Sequence, residues 1–352
     1  MPFYYTIDNA KPSGRRTAAR LLALREQLDR EVPERSLTQT LNLATWNIRE
    51  FDSTKYGTRT DESLSYIAEI VSRFDLVAVQ EVHEDLTALR RLCRILGSSW
   101  DYVHTDTTRG TRGNRERMAF LYDKRKVRFG GLVGELVLPP RLRRGKGYVP
   151  ELQFARTPFI AGFQVGWFRF MLCTVHIVWG GSKKESPGRV REIRELAKFL
   201  KARATDKTAW SRNLVLLGDF NIFNVGDATF RAITDQGFVV PPEIQQLPSN
   251  VDQSRHYDQI AFMTRRRQDL AGLEAGVFDF YRTLYREEDE KTYARHMGTG
   301  YRQTKEGEPR SAKSRRTYYR AWRTFQMSDH LPMWVQLKID FGTEYLRKKA
   351  KK

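Results

Sequence analysis

The sequence predicts a mixed α/β protein in which two β-sheets pack face to face and helices cover their outer surfaces. In the first part of the chain, short apolar runs alternate with segments whose apolar residues recur at helical spacing. In the middle, apolar runs follow one another across short turns, a pattern that is typical of antiparallel strands. The sequence contains no internal repeat.

Residues 1–39 are predicted to be a helical appendage. Its helix covers Arg15–Glu31 and ends before Pro33, because proline disfavours the helical conformation in the residue that precedes it. We expect the leucines of this helix to pack on the main body while its arginines face outward. The leucines at helical spacing are Leu21, Leu22, Leu24 and Leu28.

Residues 40–341 are predicted to form the main domain. Its helices are expected at Leu64–Arg73, Leu86–Leu96 and Val190–Lys201. A turn at Gly166 separates two of the strands, and a basic loop covers Pro139–Gly147. The strands are expected at Leu41–Ile48, Asp75–Gln80, Arg117–Tyr122, Gly131–Leu138, Phe159–Val165, Trp167–His176, Asn213–Gly218, Gln259–Met263 and Met333–Ile339.

Residues 281–327 break this pattern and are predicted to be an insert without regular structure. Within it, Tyr301–Arg323 contains eight lysine and arginine residues, two acidic residues and interleaved aromatic residues. Cations mixed with aromatic rings can hold a phosphate backbone and stack on bases. The alternative is a disordered surface loop whose rings pack back on the body. Residues 342–352 are expected to be a solvated basic tail.

The composition predicts a soluble protein with a substantial core. Of 352 residues, 40% are hydrophobic and 29% are charged, and no apolar run approaches the roughly 20 residues of a membrane span. Cys93 and Cys173 have apolar neighbours, which indicates small core residues rather than a disulfide. The first nine residues lack the design of a signal peptide, so we expect a cytoplasmic location.

The net charge of +19 is the strongest compositional indication of a partner. A positive field of this size attracts polyanions before any specific contact forms. Nucleic acid is the leading expectation. An anionic membrane surface or a highly phosphorylated small molecule is an alternative, and no protein partner is indicated. A further interpretation is that the excess of lysine and arginine only keeps the protein soluble.

Polar side chains follow several of the apolar, strand-like runs at the point where each run ends. A buried strand that ends in Glu, His or Asp directs that group out of a packed sheet. If these ends converge, they form a divalent-metal site with histidine beside it, which is suited to cleaving phosphate esters. The segments are Thr45–Arg49, Val77–Glu81, Leu172–His176, Val215–Asn221 and Ser328–His330.

Phosphodiester cleavage needs charge neutralisation on the phosphoryl oxygens, an activated water and assistance to the departing oxygen. Mg²⁺ suits the first task, since it binds through one or two carboxylates and keeps most of its waters; Mn²⁺ is the alternative ion. Glu81 is the best candidate ligand, and Asn47 and Asp329 are expected to complete the site. We expect Arg49, beside Asn47, to bind substrate phosphate.

The acid–base groups are predicted from the other strand ends. His330 follows Asp329 directly, and Asp258 is the expected carboxylate that fixes the tautomer of His330. Gly218 permits a sharp exit from its strand, so that Asp219 can orient water and Asn221 can bind a phosphate oxygen. His176 is expected to donate to the phosphate or to the departing oxygen. Taken alone, a Ser-Asp-His tripeptide is more often a helix or strand cap than a catalytic unit. The alternative for His176 is a core histidine whose hydrogen bonds are satisfied by the backbone.

The ordered set of motifs resembles the endonuclease/exonuclease/phosphatase superfamily, and its deoxyribonuclease I-like members most closely. The resemblance runs from about Leu41 to Ile339 and implies a four-layer α/β/β/α sandwich with Mg²⁺-dependent hydrolysis of phosphodiesters or phosphomonoesters. The motifs are WNIREF, VQEV, RERMAFLYD, TVHI, GDFN, HYDQIAF and SDHLP.

The resemblance also implies roles for individual residues. Asn47 and Glu81 match the metal-site positions, and His176 and His330 match a catalytic histidine pair. Glu116 matches the acid that supports the first histidine, Asp258 matches the acid that supports the second, and Arg156 matches an arginine that contacts phosphate. The remaining polar positions are Asp219, Asn221 and Asp329.

Two departures from the deoxyribonuclease pattern qualify the expectation. An arginine and a tyrosine that enter the DNA minor groove are replaced at the matching positions by His83 and Asn114, which puts preference for intact duplex in doubt. Disulfides and a signal peptide are missing as well. The sequence predicts a Mg²⁺-dependent phosphodiesterase, specifically a DNA endonuclease that nicks with low sequence specificity. The alternatives are a phosphatase or phospholipid phosphodiesterase of the same fold, and a nonenzymatic nucleic-acid-binding protein.

Overall fold

The computed structural model describes residues 2–51, 55–108, 115–143, 147–149, 153–264 and 273–350. Its helices are α1 (Pro12–Glu31), α2 (Asp61–Ser72), α3 (Thr87–Leu96), α4 (Pro187–Thr205), α5 (Ala228–Thr234), α6 (Pro242–Gln245), α7 (Glu290–Tyr293), α8 (Gly298–Arg302), α9 (Ala312–Gln326) and α10 (Gly342–Ala350). Short 3₁₀ helices cover Phe280–Arg282, Glu287–Asp289 and Ala294–His296.

The strands form two main sheets and one small hairpin. The first sheet has the order β12-β13-β1-β2-β4-β3, the second has the order β11-β10-β9-β8-β5, and β6 pairs with β7. The strands are β1 (Thr40–Phe51), β2 (Leu76–Val82), β3 (Trp100–His104), β4 (Arg117–Asp123), β5 (Arg128–Glu135), β6 (Arg141–Arg143), β7 (Gly147–Val149), β8 (Phe159–Val165), β9 (Phe168–His176), β10 (Leu214–Asp219), β11 (Asp258–Met263), β12 (Glu274–Val277) and β13 (Met333–Lys338).

Alternation along the central strands explains why the two sheets face each other. In β1, Leu41 and Leu43 belong to the core between the sheets, whereas Ala44, Trp46 and Ile48 point to the opposite face. Successive strand residues point to opposite faces of a sheet, so a run that is apolar at every position is buried on both sides. The first sheet therefore lies between the second sheet and a layer of helices.

The layers follow the order helix, sheet, sheet and helix. Helices α1, α2, α3 and α9 pack on the outer face of the first sheet, and α4 and α5 pack on the outer face of the second. β1 and β2 pair in parallel, as do β9 and β10, while the other pairings are antiparallel. This arrangement confirms the prediction of a four-layer α/β sandwich with two mixed sheets.

Helix α1 packs on α2 through leucines but differs from the prediction in two respects. Leu22 is 62% exposed, whereas Leu21, Leu24 and Leu28 are buried. Its arginines do not simply face solvent, because α1 lies across acidic residues of the main body. The resulting ion pairs are Arg16 with Glu62, Arg20 with Asp289, and Arg25 with Glu69. The division of the chain at residue 39 remains a prediction.

The region 281–327 is helical, so the expectation of an insert without regular structure is wrong. Tyr319 and Trp322 of α9 are buried, and Trp322 packs at ring-centroid distances of 5.7 Å from Tyr285 and 5.6 Å from Tyr293. Tyr301 is buried as well. These rings form part of the core and are not available to stack on bases. The basic residues of α9 remain at the surface, where Arg316 lies 3.5 Å from a Glu290 oxygen.

Most predicted elements agree with the structure to within a few residues. Two short strands at the ends of the first sheet, β3 and β12, were not predicted, because each has few residues and no clear alternation. Cys93 and Cys173 are both free, as expected. Within the described residues, no helix is both long enough and apolar enough to cross a lipid bilayer.

Candidate active site

The polar strand ends lie at one edge of the sandwich. Parallel strands contribute residues from their carboxyl ends, and antiparallel neighbours contribute residues from their starts. Asp219 ends β10 opposite Asp258, which begins β11, while His176 ends β9 beside Asp219. Glu116 precedes β4, whose start lies beside the end of β2. Topology alone therefore places carboxylates and imidazoles from both sheets close together.

Asp219 connects the two sheets at this edge. Its Oδ2 atom accepts a hydrogen bond from Asn47 Nδ2 at 3.0 Å, and it lies 3.5 Å from His176 Nε2 and 3.8 Å from His330 Nε2. Asn47 belongs to the first sheet, and it also donates to Glu81 Oε1 at 2.9 Å. The site therefore exists only where the two sheets are packed together.

The backbone at Asp219 is shaped by its neighbours. Gly218 has φ 131°, and a Cβ atom there would lie 2.2 Å from the Val175 carbonyl oxygen. Only glycine allows this approach, which lets β10 turn its carboxylate toward the edge. Asn221 follows with φ 52° and donates its backbone N–H to Asp219 Oδ1 at 2.8 Å. The loop therefore holds Asp219 in a single orientation.

Glu81 occupies a break in the pairing of β2. The register of β2 shifts against both neighbouring strands near this residue, and Glu81 has φ 61°. A β-bulge re-aims a side chain, while a left-handed conformation at a residue other than glycine costs about 1–3 kcal/mol. The backbone N–H of Glu50 donates to Glu81 Oε2 at 2.7 Å and holds the carboxylate in this position. Burial raises the pKa of Glu81.

His330 is held by a buried carboxylate. Its Nδ1 lies 2.8 Å from Asp258 Oδ2, and the same oxygen accepts from Ser249 Oγ at 2.7 Å. Burial alone would lower the pKa of His330, but the charges of Asp258 and Asp219 outweigh it and raise the pKa well above its usual value. The contact with Asp258 directs Nε2 toward the site.

His176 is held by a second carboxylate, which is shared with an arginine. Its Nδ1 lies 2.9 Å from Glu116 Oε2, at an angle too bent for a well-formed hydrogen bond, so we treat the contact as an ion pair. Arg156 Nε donates to Glu116 Oε2 at 2.6 Å. Burial opposes ionisation of Glu116, but the charges of His176 and Arg156 outweigh it and lower the Glu116 pKa to about 2. The charges of Glu116 and Asp219 likewise raise the pKa of His176 against burial.

The remaining predicted residues lie at the rim or behind the site. Arg49 lies over the ring of Phe325 at 4.1 Å, with its Nε atom 3.5 Å from Asp329 Oδ2. Asn221 Nδ2 already donates to the Ile177 carbonyl, and Arg156 is engaged by Glu116, so neither is a free phosphate ligand in this structure. Their roles as phosphate contacts stay predictions.

Sequence reasoning missed two serines that position the site. Ser249 holds Asp258, and Ser328 Oγ donates to the Asn47 carbonyl at 2.6 Å while accepting from the backbone N–H of His330. Ser249 follows no apolar run, and Ser328 begins a predicted segment in which the pattern indicates only Asp329 and His330. His83, on the loop after β2, is half-buried, and Asn114 lies outside the described residues.

The donor set fits a hard divalent cation at the corner formed by Glu81 and Asn47. Asn47 Oδ1 is buried and has no hydrogen-bond partner, and the nearby donors are carboxylate oxygens, which Mg²⁺ prefers. Asp219, Asp258 and His330 also bring ligand atoms within 4.8 Å of one another. In that second group, however, Asp258 Oδ2 and His330 Nδ1 already bind each other. The first corner is therefore the better cation site.

Comparison with known proteins identifies the family of this chain and agrees with its fold. A model of the endonuclease/exonuclease/phosphatase family matches residues 44–238. A deoxyribonuclease of Thioalkalivibrio sp. (strain K90mix) is 30% identical over 203 residues, which cover 55% of this chain and 50% of that protein. Deoxyribonuclease-1 of Bos taurus is 36% identical over 93 residues, or 25% of this chain and 32% of that protein. The chain thus spans half or less of the length of these curated relatives.

Solved structures show the same fold at low sequence identity. A mannosyl-6-phosphatase of Bacteroides thetaiotaomicron has a TM-score of 0.52 and 18% identity, with 84% of this chain and 98% of that chain covered. Truncated TDP2 of Caenorhabditis elegans has a TM-score of 0.50 and 13% identity, with 86% and 100% covered. At such identities the likeness establishes the architecture only. With the family model matching more than half of its residues, the chain belongs to the endonuclease/exonuclease/phosphatase family.

Proposed function

We propose that this member of a family of phosphate-ester hydrolases is a Mg²⁺-dependent phosphodiesterase, and specifically a DNA endonuclease with little sequence preference. The observation that carries the proposal is the pair of buried histidines on either side of Asp219, each with its own carboxylate. Two proton-handling groups that flank one position suit a reaction in which one P–O bond forms and another breaks.

In this proposal the two histidines and their neighbours have separate roles in proton transfer. His176, which Glu116 keeps protonated, donates its proton to the departing oxygen as the P–O bond breaks. Asp219 Oδ2 lies close to both rings and accepts a proton from the water that attacks phosphorus. His330, with Asp258, is the alternative acceptor once it has lost its own proton. Mg²⁺, held by Glu81 with Asn47 and Asp329, would neutralise charge on the phosphoryl oxygens.

Nucleic acid as the substrate is supported by charge. The chain carries a net +19, and helix α9 carries Lys313, Arg315, Arg316 and Arg320, of which Arg316 and Arg320 form ion pairs with Glu290 and Glu287. The C-terminal end of α9 reaches the site, since Thr324 accepts a hydrogen bond from Arg49. A basic helix that ends at the catalytic edge can position a polyanion by its phosphates, without reading its sequence.

The first experiment is a plasmid-nicking assay. We expect the purified protein to convert supercoiled plasmid to the nicked form with Mg²⁺ and to stop in EDTA. His330→Ala should reduce the rate by about 1,000-fold, since general acid–base groups contribute about 10²–10⁴-fold. His104→Ala, on the outer strand β3, is the matched control and should retain full activity.

Three outcomes would contradict the proposal. Release of phosphate from sugar or inositol phosphates while plasmid stays intact would identify a phosphatase of the same fold. Binding of DNA without cleavage under any metal would identify a nucleic-acid-binding protein that has kept the fold. Nicking that survives His330→Ala would trace the activity to a contaminant.

A further inference from the structure

Three aromatic side chains form a continuous wall beside His330, which we call the aromatic wall. Trp179 lies at ring-centroid distances of 5.3 Å from Phe223 and 5.7 Å from Tyr257, and Phe223 lies 5.8 Å from Tyr257. Tyr257 in turn lies 5.4 Å from the His330 imidazole, tilted by 32°. A chain of ring contacts therefore leads from a surface tryptophan to a catalytic imidazole.

Each ring of the aromatic wall is fixed to a loop that also carries a catalytic residue. Trp179 is three residues beyond His176, Phe223 is two residues beyond Asn221, and Tyr257 directly precedes Asp258. All three loops emerge from the catalytic edge of the second sheet, at β9, β10 and β11. The position of the wall relative to the reacting groups is thus set by the same backbone that sets the site.

Trp179 is exposed although its loop is held rigidly. Its side chain is 43% exposed, whereas Phe223 beneath it is buried. The guanidinium of Arg189, which is fully buried at the start of α4, donates to the carbonyls of Trp179, Gly181 and Val178. A buried charge that satisfies backbone carbonyls fixes the loop, so Trp179 is presented to solvent in one orientation. The packing of the fold does not explain why the indole of Trp179 is exposed on a loop that Arg189 holds in place.

The surroundings of the aromatic wall are cationic. The guanidinium of Arg255 lies 4.6 Å from the centroid of the Phe223 ring, and Lys183 and Lys184 are exposed on the same loop as Trp179. A planar, apolar surface beside cations suits a ligand with flat rings on an anionic backbone. In intact duplex DNA the bases stack on each other and are not accessible to a side ring. In a single strand each base is free to stack, and such stacking is tolerant of sequence.

We propose that Trp179, backed by Phe223 and Tyr257, is a stacking subsite for an unpaired nucleobase next to the scissile phosphate, so that single-stranded or locally unpaired DNA is the preferred substrate. The inference rests on the proposed nuclease function and specifies its substrate. Supercoiled plasmid, in which strands separate locally, remains a substrate.

The test compares Trp179→Ala with a matched control on the same strand. Trp167 is 62% exposed and precedes β9, whereas Trp179 follows it, so the two tryptophans lie at opposite ends of a strand about 30 Å long at about 3.3 Å per residue. Each variant is assayed for kcat/KM on a fluorescent single-stranded oligonucleotide, on the same sequence as a duplex, and on the same single strand with an abasic site beside the scissile phosphate.

We expect Trp179→Ala to lose about 5- to 150-fold in kcat/KM on the single strand, since stacking is worth about 1–3 kcal/mol per base and about 1.4 kcal/mol is tenfold. Activity on the abasic strand should change less than about threefold, and Trp179→Phe should recover most of the loss on the intact single strand. Trp167→Ala should behave as the wild type. A single strand with an abasic site beside the scissile phosphate should abolish the difference between Trp179→Ala and the wild type.

The results that would overturn this inference differ from those that would overturn the nuclease proposal. If the protein cleaves DNA but Trp179→Ala equals Trp167→Ala on single strands, the stacking subsite is refuted and the nuclease stands. An equal loss on all three substrates would show that Trp179 only maintains the fold. If the wild type cleaves no nucleic acid and hydrolyses sugar phosphates instead, both proposals fail and the aromatic wall faces a sugar ring.

Discussion

Replacing Asp258 by asparagine tests whether a charged partner at His330 Nδ1 is needed for the reaction. The substitution keeps the size of the side chain and leaves an oxygen that can accept from Ser249 Oγ, which is 2.7 Å from Asp258 Oδ2 in the structure. It removes the negative charge that lies 2.8 Å from the imidazole inside a fully buried pair. The geometry is therefore retained while the electrostatic partner is lost.

The magnitude follows from the strength of a hydrogen bond to a charged group. Such bonds contribute about 1.5–3 kcal/mol, which corresponds to about 10- to 150-fold in kcat/KM at about 1.36 kcal/mol per tenfold. The pKa of His330 should also fall, because burial lowers it and the charge of Asp258 would no longer help that of Asp219 to raise it. The limb of the pH–rate profile that reports loss of the His330 proton should move to lower pH.

The assay is kcat/KM for bis(4-nitrophenyl) phosphate from pH 5 to pH 10 at saturating Mg²⁺. Ser249→Ala is the matched control, because it removes a hydrogen bond to the same oxygen and leaves the charge of Asp258 in place. We expect this control to leave the His330 limb of the pH–rate profile in place because the charge of Asp258 remains, even though a hydrogen bond to a charged group contributes about 1.5–3 kcal/mol. Asp258→Asn with wild-type kcat/KM and an unmoved limb would refute the reasoning.

Three further predictions concern the metal corner, the backbone and acid stability. Glu81→Gln should lower Mg²⁺-dependent activity by about 100-fold or more, because charge stabilisation by a bound cation is worth several kcal/mol; Mg²⁺ titration of the rate checks it, and full activity at wild-type Mg²⁺ would contradict it. Gly218→Ala should destabilise the protein by at least about 2–3 kcal/mol, measured by urea unfolding, because its Cβ would strike Val175. Gly134→Ala, whose Cβ meets nothing within 4 Å, is the control. The pKa of Glu116 is depressed to about 2, so its contribution to stability is present above pH 4.3 or so and is lost as pH falls toward 2; Glu116→Gln should flatten this loss by up to about 3 kcal/mol.

The sequence predicted the architecture because the signals that define it are local. Runs apolar at every position identified the strands buried on both sides, and polar residues at their ends identified Asp219 and His176. The same logic could not find Ser249, which acts through a hydrogen bond to Asp258 and lies in a loop without an apolar run.

The region 281–327 could not be predicted for a different reason. Its other helices are short, and in α9 the many charged residues obscure the pattern of the buried face that Tyr319 and Trp322 form. Mixed cations and aromatic rings predict a binding surface when the rings are exposed. Here tertiary packing against Tyr285 and Tyr293 decides that the rings belong to the core. Composition cannot distinguish these two outcomes.

The packing of the two sheets at Asp219 also determines when the candidate site can form during synthesis of the chain. Asn47 emerges early, but His330 follows the other site residues in chain order and is placed by β13, which pairs with β1. A nascent chain that has not yet released β13 from the ribosome lacks one imidazole and one neighbour of β1. The edge that carries both histidines is therefore complete only once β13 has paired with β1.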